Sequence, residues 1–366
     1  MSTRHLVRLF LVFLLPGAAP IAMAADPPVA AFEVYGAWHC GSDLCTWGSV
    51  RDMTEFDQKN HWLIDRDGKG GAPAVNLVVL SFVEPLKLLN RTTDTMTLNG
   101  VPRGMTSAVV NYFASRGVRV MLSIGGITYV KPWNQALGSA SSAWQLGLNA
   151  AQVASDLHVG IEIDYEENRS PNLAGLQSFI DAYRSVHPYD PSGVNPEARL
   201  TIDLAAGDRW LIDITRKASA DWLSGATPVL DYANAMVPAR QPSVKDAVAN
   251  WREHVDGKSQ YAPPIRPLAP ARFTGSLWLV GSKPIAECTN FANSLQNSTG
   301  GFVTSAAPNG EGSSPGMLGY MFWASECEGS RTVCTTPQYK STCEGGVGVG
   351  ATTYRVKVPM PALTRY

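Results

Sequence analysis

Beyond its first 24 residues the chain has no apolar run approaching the roughly 18 residues needed to cross a bilayer. It has no basic block, and its formal net charge is only −1. Both facts argue against nucleic acid or an anionic membrane surface as a partner. Histidine is scarce, with six in 366 residues, and no two of the six cysteines form a C-x-x-C pair. A zinc site is therefore not expected, and neither a metal nor a cofactor is called for. No G-x-G-x-x-G follows the first apolar strand, which argues against a dinucleotide-binding sheet. There is no internal repeat and no low-complexity linker, so a single domain is expected.

What is present begins with a leader. Arg4, His5 and Arg8 precede the apolar run Leu9 to Leu15, and Ala22-Met23-Ala24 has the small-x-small form of a cleavage signal. Residues 1–24 read as a secretory signal peptide, so the mature protein is expected to be soluble and exported, extracellular or periplasmic. Cysteines in an exported chain favour disulfides. Cys40–Cys45 and Cys334–Cys343 are plausible local pairs, with the connectivity left open. Ten Trp and twelve Tyr are generous, and such rings suit carbohydrate stacking. The expected partner is thus a sugar, and the expected state a monomer.

Eight strands are readable: 32–38, 75–82, 118–124, 158–166, 200–205, 230–237, 273–280 and 317–323. Several are near-continuous apolar runs, as strands buried on both faces require. Helical patterns fall between them at 105–115, 141–157, 173–186, 244–255 and 285–295. In the helix 141–157, Trp144, Leu148 and Val153 are spaced for one buried face. Strands alternating with helices predict a parallel sheet, and eight such units predict a TIM (β/α)8 barrel over residues 25–366. Residues 324–366, with three Cys and a Gly-rich run, read as a disulfide-tied C-terminal extension.

The stretch His158 to Asn168 (HVGIEIDYEEN) carries the chemistry. Gly160, Glu162, Asp164 and Glu166 share one parity, and Ile161, Ile163 and Tyr165 the other, so the carboxylates face one way. Same-face neighbours lie roughly 6.6 Å apart along a strand. Repulsion and desolvation must raise the pKa of at least one of them. In a barrel the strand's C-terminal end opens onto the active face. Glu166, outermost, is placed to protonate a leaving-group oxygen, and Asp164 to orient it and stabilise positive charge. No second carboxylate across the scissile bond is evident; Asp203 on the fifth strand is the nearest by position. Most glycosidases need such a pair.

Gly160-Ile161-Glu162-Ile163-Asp164-Tyr165-Glu166 resembles the D-G-x-D-x-D-x-E signature of glycoside hydrolase family 18, the chitinases and endo-β-N-acetylglucosaminidases. Ser123-Ile124-Gly125-Gly126 resembles that family's S-x-G-G motif on the third strand. Met321-Phe322-Trp323 is similar to its last strand, and Tyr35 to Trp38 to its aromatic first strand. The resemblance spans roughly residues 32–325. It implies a retaining, substrate-assisted enzyme that cleaves the β-1,4 bond after an N-acetylglucosamine unit. In that reading Glu166 is the acid/base, Asp164 holds the acetamido group, and Glu162 partners Asp164. Trp323 is the pocket floor, and Tyr35, Trp38, Met236 and Asp203 contact the substrate.

The sequence departs from the family pattern at four places. Val159 stands for the first Asp, Glu162 for an Asp, and Tyr165 for the common Trp. On the sixth strand Met236-Val237-Pro238 replaces Met-x-Tyr, and Pro238 has no hydroxyl to donate; Tyr232 and Arg240 are the nearby candidates to substitute. Two alternatives follow: an endo-β-N-acetylglucosaminidase acting on N-linked glycans, and a non-catalytic lectin on the same barrel.

Overall fold

The computed structural model describes residues 31–40, 52–65, 70–205, 210–225, 229–236, 244–278, 317–323, 325, 355–356 and 360. Eight parallel strands close into a barrel: β1 (Val34–Cys40), β2 (Leu77–Val83), β3 (Arg119–Gly125), β4 (Gly160–Asp164), β5 (Leu200–Ala205), β6 (Ala233–Met236), β7 (Phe273–Trp278) and β8 (Gly319–Trp323). Each pairs with the next in sequence, and β8 closes on β1, with Trp323 opposite Trp38. Helices α1 (Met53–Ile64), α2 (Ser107–Ala114), α3 (Ala140–Leu157), α4 (Leu173–Val186), α5 (Ile212–Lys217) and α6 (Val244–Asp256) follow β1 to β6 in turn. This is the TIM barrel expected from the sequence. The leader, Cys45 and the other four cysteines beyond it, the helix expected at 285–295, and nearly all of the extension lie outside the described residues.

Each strand buries both faces, and the period of two sorts them. Val78, Leu80, Val120, Leu122, Ile161, Ile163, Ile202 and Leu204 join the outer core shared with the helices. A second apolar cluster fills the barrel where the strands begin, and includes Val34, Leu77, Val79, Met121, Tyr232 and Met321. Above it the same parity turns polar: Ser81, Ser123, Glu162, Thr201, Asp203, Asn234, Thr274 and Ser276 are all buried. A polar plug of this kind is costly unless its groups bond one another.

Two expectations are corrected here. On α3 the buried face is Ala143, Leu146, Gly147, Ala150, Ala151 and Ala154, whereas Trp144 is 42% exposed. Small residues win because α3 lies tight against α4: a Cβ on Gly147 would sit 2.3 Å from the Phe179 carbonyl oxygen. The fourth strand is also shorter than 158–166. His158 caps α3 in a left-handed conformation (φ 57°), so β4 starts at Gly160. It ends at Asp164, whose carbonyl is claimed by groups outside the ladder.

Candidate active site

Glu162, Asp164 and Glu166 form a ladder rising from the middle of the barrel to its mouth. Glu162 is fully buried and Asp164 is 3% exposed; Glu166, two residues past the end of β4, is partly exposed.

Glu162 sits at the centre of a set of neutral donors. The Trp38 indole Nε1–H of β1 donates to Oε1 at 2.9 Å. The Asn234 amide of β6 donates to Oε2 at 2.6 Å. Thr274 of β7 donates its hydroxyl to the Asn234 carbonyl oxygen at 2.8 Å, which fixes the orientation of that amide. Ser123 of β3 and Asp203 of β5 also bear on Glu162. Burial nevertheless outweighs these donors and pushes Glu162 up to about 7. Asp164 keeps one buried carboxyl oxygen without a hydrogen-bond partner. Burial first, then the charges of Glu166 and Glu162, hold its pKa well above its ordinary value. Glu166 is raised by burial to about 7, against the pull of the Ile127 backbone N–H. The groups that shift these acids include no lysine or arginine. With no cation among the described residues that shift them, several of these buried carboxyls carry protons at neutral pH.

The segment after β3 aims Glu166. Gly126 N–H and the Trp133 indole Nε1–H both donate to the Asp164 carbonyl oxygen at 3.0 Å. Gly125 lies directly against that carbonyl with φ 125°; a Cβ there would meet the oxygen at 1.8 Å. Only glycine fits. Tyr165 turns outward, its ring 5.5 Å from Trp133, and its hydroxyl takes the Asn172 N–H at 3.1 Å. With Tyr165 anchored outside, the alternation sends Glu166 inward.

The remaining expected residues separate into two groups. Trp323 is partly exposed and stacks on Phe82, ring centroids 5.5 Å apart at 24°. Met236 ends β6 on the parity of Asn234 and is partly exposed. Trp38 is 4% exposed and acts on Glu162 from below. Tyr35 does not reach the barrel interior. It is fully buried in the outer core, 5.9 Å from Phe322, because its parity is opposite to that of Trp38. Asp203 is 2% exposed and faces the acids, so it is part of the polar plug. Tyr232 packs with Val34 and Leu77 at the far end of the barrel, under the Arg199 guanidinium, and so cannot supply the hydroxyl that Pro238 lacks. Pro238 and Arg240 lie outside the described residues.

Asn234, Thr274, Trp133 and Phe82 are contributors that sequence reasoning did not assign to the site. Asn234 left a signal: it is a polar residue sharing the inward parity of Met236 within an apolar strand. Trp133 is completely buried against the end of the acidic strand.

No protein-family model matches this sequence, and comparison with curated proteins gives no match. Among solved structures the chain is similar to a chitinase from Rhizomucor miehei, at 16% identity over 79% of this chain and 93% of that one, with a TM-score of 0.47. It is also similar to a family GH18 chitinase from Chromobacterium violaceum (10% identity, 89% and 85% covered, TM-score 0.49). A class V chitinase from Nicotiana tobaccum gives 11% identity, 88% and 99% covered, and a TM-score of 0.49.

Proposed function

We propose that this protein is an exported, retaining glycoside hydrolase that cleaves β-1,4 bonds of N-acetylglucosamine polymers, chitinase-like, with Glu166 as the acid/base. The observation that carries the reading is the state of Glu166. It stands at the mouth of the barrel, raised to about 7 by burial, directly above two further acids. A carboxyl that keeps its proton near neutral pH can give it to a glycosidic oxygen, and as the carboxylate can take one back from water.

The described acids do not form a pair flanking a bond. Glu162, Asp164 and Glu166 share one strand line, and Asp203 is buried beside them. An external carboxylate nucleophile is thus not provided among the described residues, which supports attack by the substrate's own acetamido oxygen. Asp164, next below Glu166, is placed to hold that group and to stabilise the positive charge that develops. Trp323 on Phe82 offers a flat apolar face for the sugar ring. Export rests on residues 1–24 of the sequence.

Hydrolysis of chitin oligosaccharides by the wild type and by Glu166→Gln tests this reading. Turnover by the wild type with loss in the variant supports it; equal activity in both, or none in either on any N-acetylglucosamine substrate, refutes it.

A further inference from the structure

Three buried carboxyls, Glu162, Asp164 and Asp203, meet in the middle of the barrel, and their hydrogen bonds are unequal. Both oxygens of Glu162 accept: one from the Trp38 indole, the other from the Asn234 amide. An indole N–H can only donate. The Asn234 amide is locked as a donor because its oxygen is taken by Thr274. With a donor on each oxygen, Glu162 is the better supplied of these carboxyls for carrying a negative charge. Asp203 is less fully supplied, although Asn234 bears on it as well. It is 2% exposed, and its Oδ1 has no hydrogen-bond partner. A buried carboxylate oxygen without a donor is a costly place for charge.

We propose that Asp203 is the proton-bearing member of this ladder and a positioning residue: its neutral carboxyl leans on Glu162 and keeps the ladder's deep negative charge there, directly beneath Asp164. The proposal rests on the catalytic reading above for its consequence, but not for its test. The titratable groups that face Asp203 are Glu162, Asp164 and Glu166. The adjoining strand β6 presents the neutral Asn234, level with Asp203 in the register. All three titratable neighbours are acids, and each disfavours a charge on Asp203. With the charge fixed on Glu162, Asp164 is free to exchange its proton with the groups above it. The structure thereby assigns to Glu162 and Asp203 separate tasks, one as the anion and one as the proton store.

The test is proton counting on the full chain. If native Asp203 is neutral, folding retains a proton that the unfolded chain releases above about pH 4. Stability then falls with rising pH through the neutral range. Denaturant unfolding of the wild type and Asp203→Asn, which keeps a donor for Glu162, over about pH 5 to 8 should give a slope smaller by one proton in the variant. An unchanged slope shows native Asp203 to be ionised and overturns the proposal. The pH dependence of kcat/KM separates positioning from mere packing. Asp203→Ala withdraws a donor from Glu162, so the acid limb should move up by about one unit, and Asp203→Asn, which keeps a donor, should return it toward wild type. Identical limbs in the two variants contradict a positioning role. Infrared spectra of wild type with labelled aspartate need no variant: a protonated carboxyl must persist above pH 7, and its absence refutes the claim. Failure of the wild type to turn over any N-acetylglucosamine substrate would sink the catalytic reading and leave the proton count untouched.

Discussion

The carbonyl oxygen of Asp164 occupies the space that a side chain on Gly125 would need, 1.8 Å from the ideal Cβ position. The two residues are opposite one another in the β3–β4 register. The S-x-G-G motif and the acidic strand are therefore one structural unit. Gly125→Ala should destabilise the fold by at least about 2–3 kcal/mol, combining a forbidden φ with a backbone clash. It should also depress turnover with all four acids intact. Urea unfolding together with kcat checks this; a variant with wild-type stability and rate would separate motif from acid.

Glu162 depends on neutral donors from two other strands. Removing either, by Trp38→Phe or Asn234→Leu, leaves a buried carboxyl oxygen unsatisfied and should cost about 1–3 kcal/mol. The sign of the accompanying pKa change is upward, since donors lower it and burial already raises it. The acid limb of the pH–rate profile should therefore move to higher pH in both variants. An unmoved limb would mean that Glu162 is not coupled to turnover.

Stability itself should vary with pH in a direction opposite to that of an ion-paired protein. Glu166 is raised from 4.5 to about 7, and burial lifts Asp203 well above its ordinary value. The native state thus holds protons that the unfolded chain has released. Their contribution is complete below the unfolded value and is lost as pH climbs from about 4.5 through 7. The slope is about 1.4 kcal/mol per pH unit for each proton. Chemical denaturation at pH 5 and pH 8 reads it directly. Greater stability at pH 8 would contradict the burial of these acids as protonated groups.

Trp323 presents a partly exposed ring backed by Phe82. Trp323→Ala removes both the stack and the proposed platform. With about 1.5 kcal/mol at stake, KM for a chitin oligosaccharide should rise about tenfold. The position of the alkaline limb, set by Glu166, should stay where it is. Steady-state kinetics across pH decide between this and a purely structural role.

Much of this was legible in the sequence because period two is a local property. The shared parity of Glu162, Asp164 and Glu166 and the alternate placement of Tyr165 follow from it, and the other strands show as short apolar runs. What could not be read depends on long-range contact. Tyr35 and Trp38 look alike as aromatic residues of the first strand, but three residues apart they fall on opposite faces, and only Trp38 meets Glu162. Asn234 is 72 residues from the carboxylate it bonds, and no local pattern links them. The α3 face was misassigned because large apolar residues were favoured over the small ones that a close helix crossing requires. The sixth-strand question opened by Pro238 is narrowed by exclusion: Tyr232 belongs to the opposite end of the barrel.

In the proposed reaction Glu166 delivers a proton to the bond being cleaved. The most direct measurement is the pH–rate profile for chitin oligosaccharide hydrolysis by wild type and Glu166→Gln. The wild type should lose activity as pH rises past about 7, where Glu166 gives up its proton. The Gln variant should be slower by about 10²–10⁴-fold at the optimum and should lack that limb. A variant that retains both the rate and the limb would show that Glu166 is not the acid.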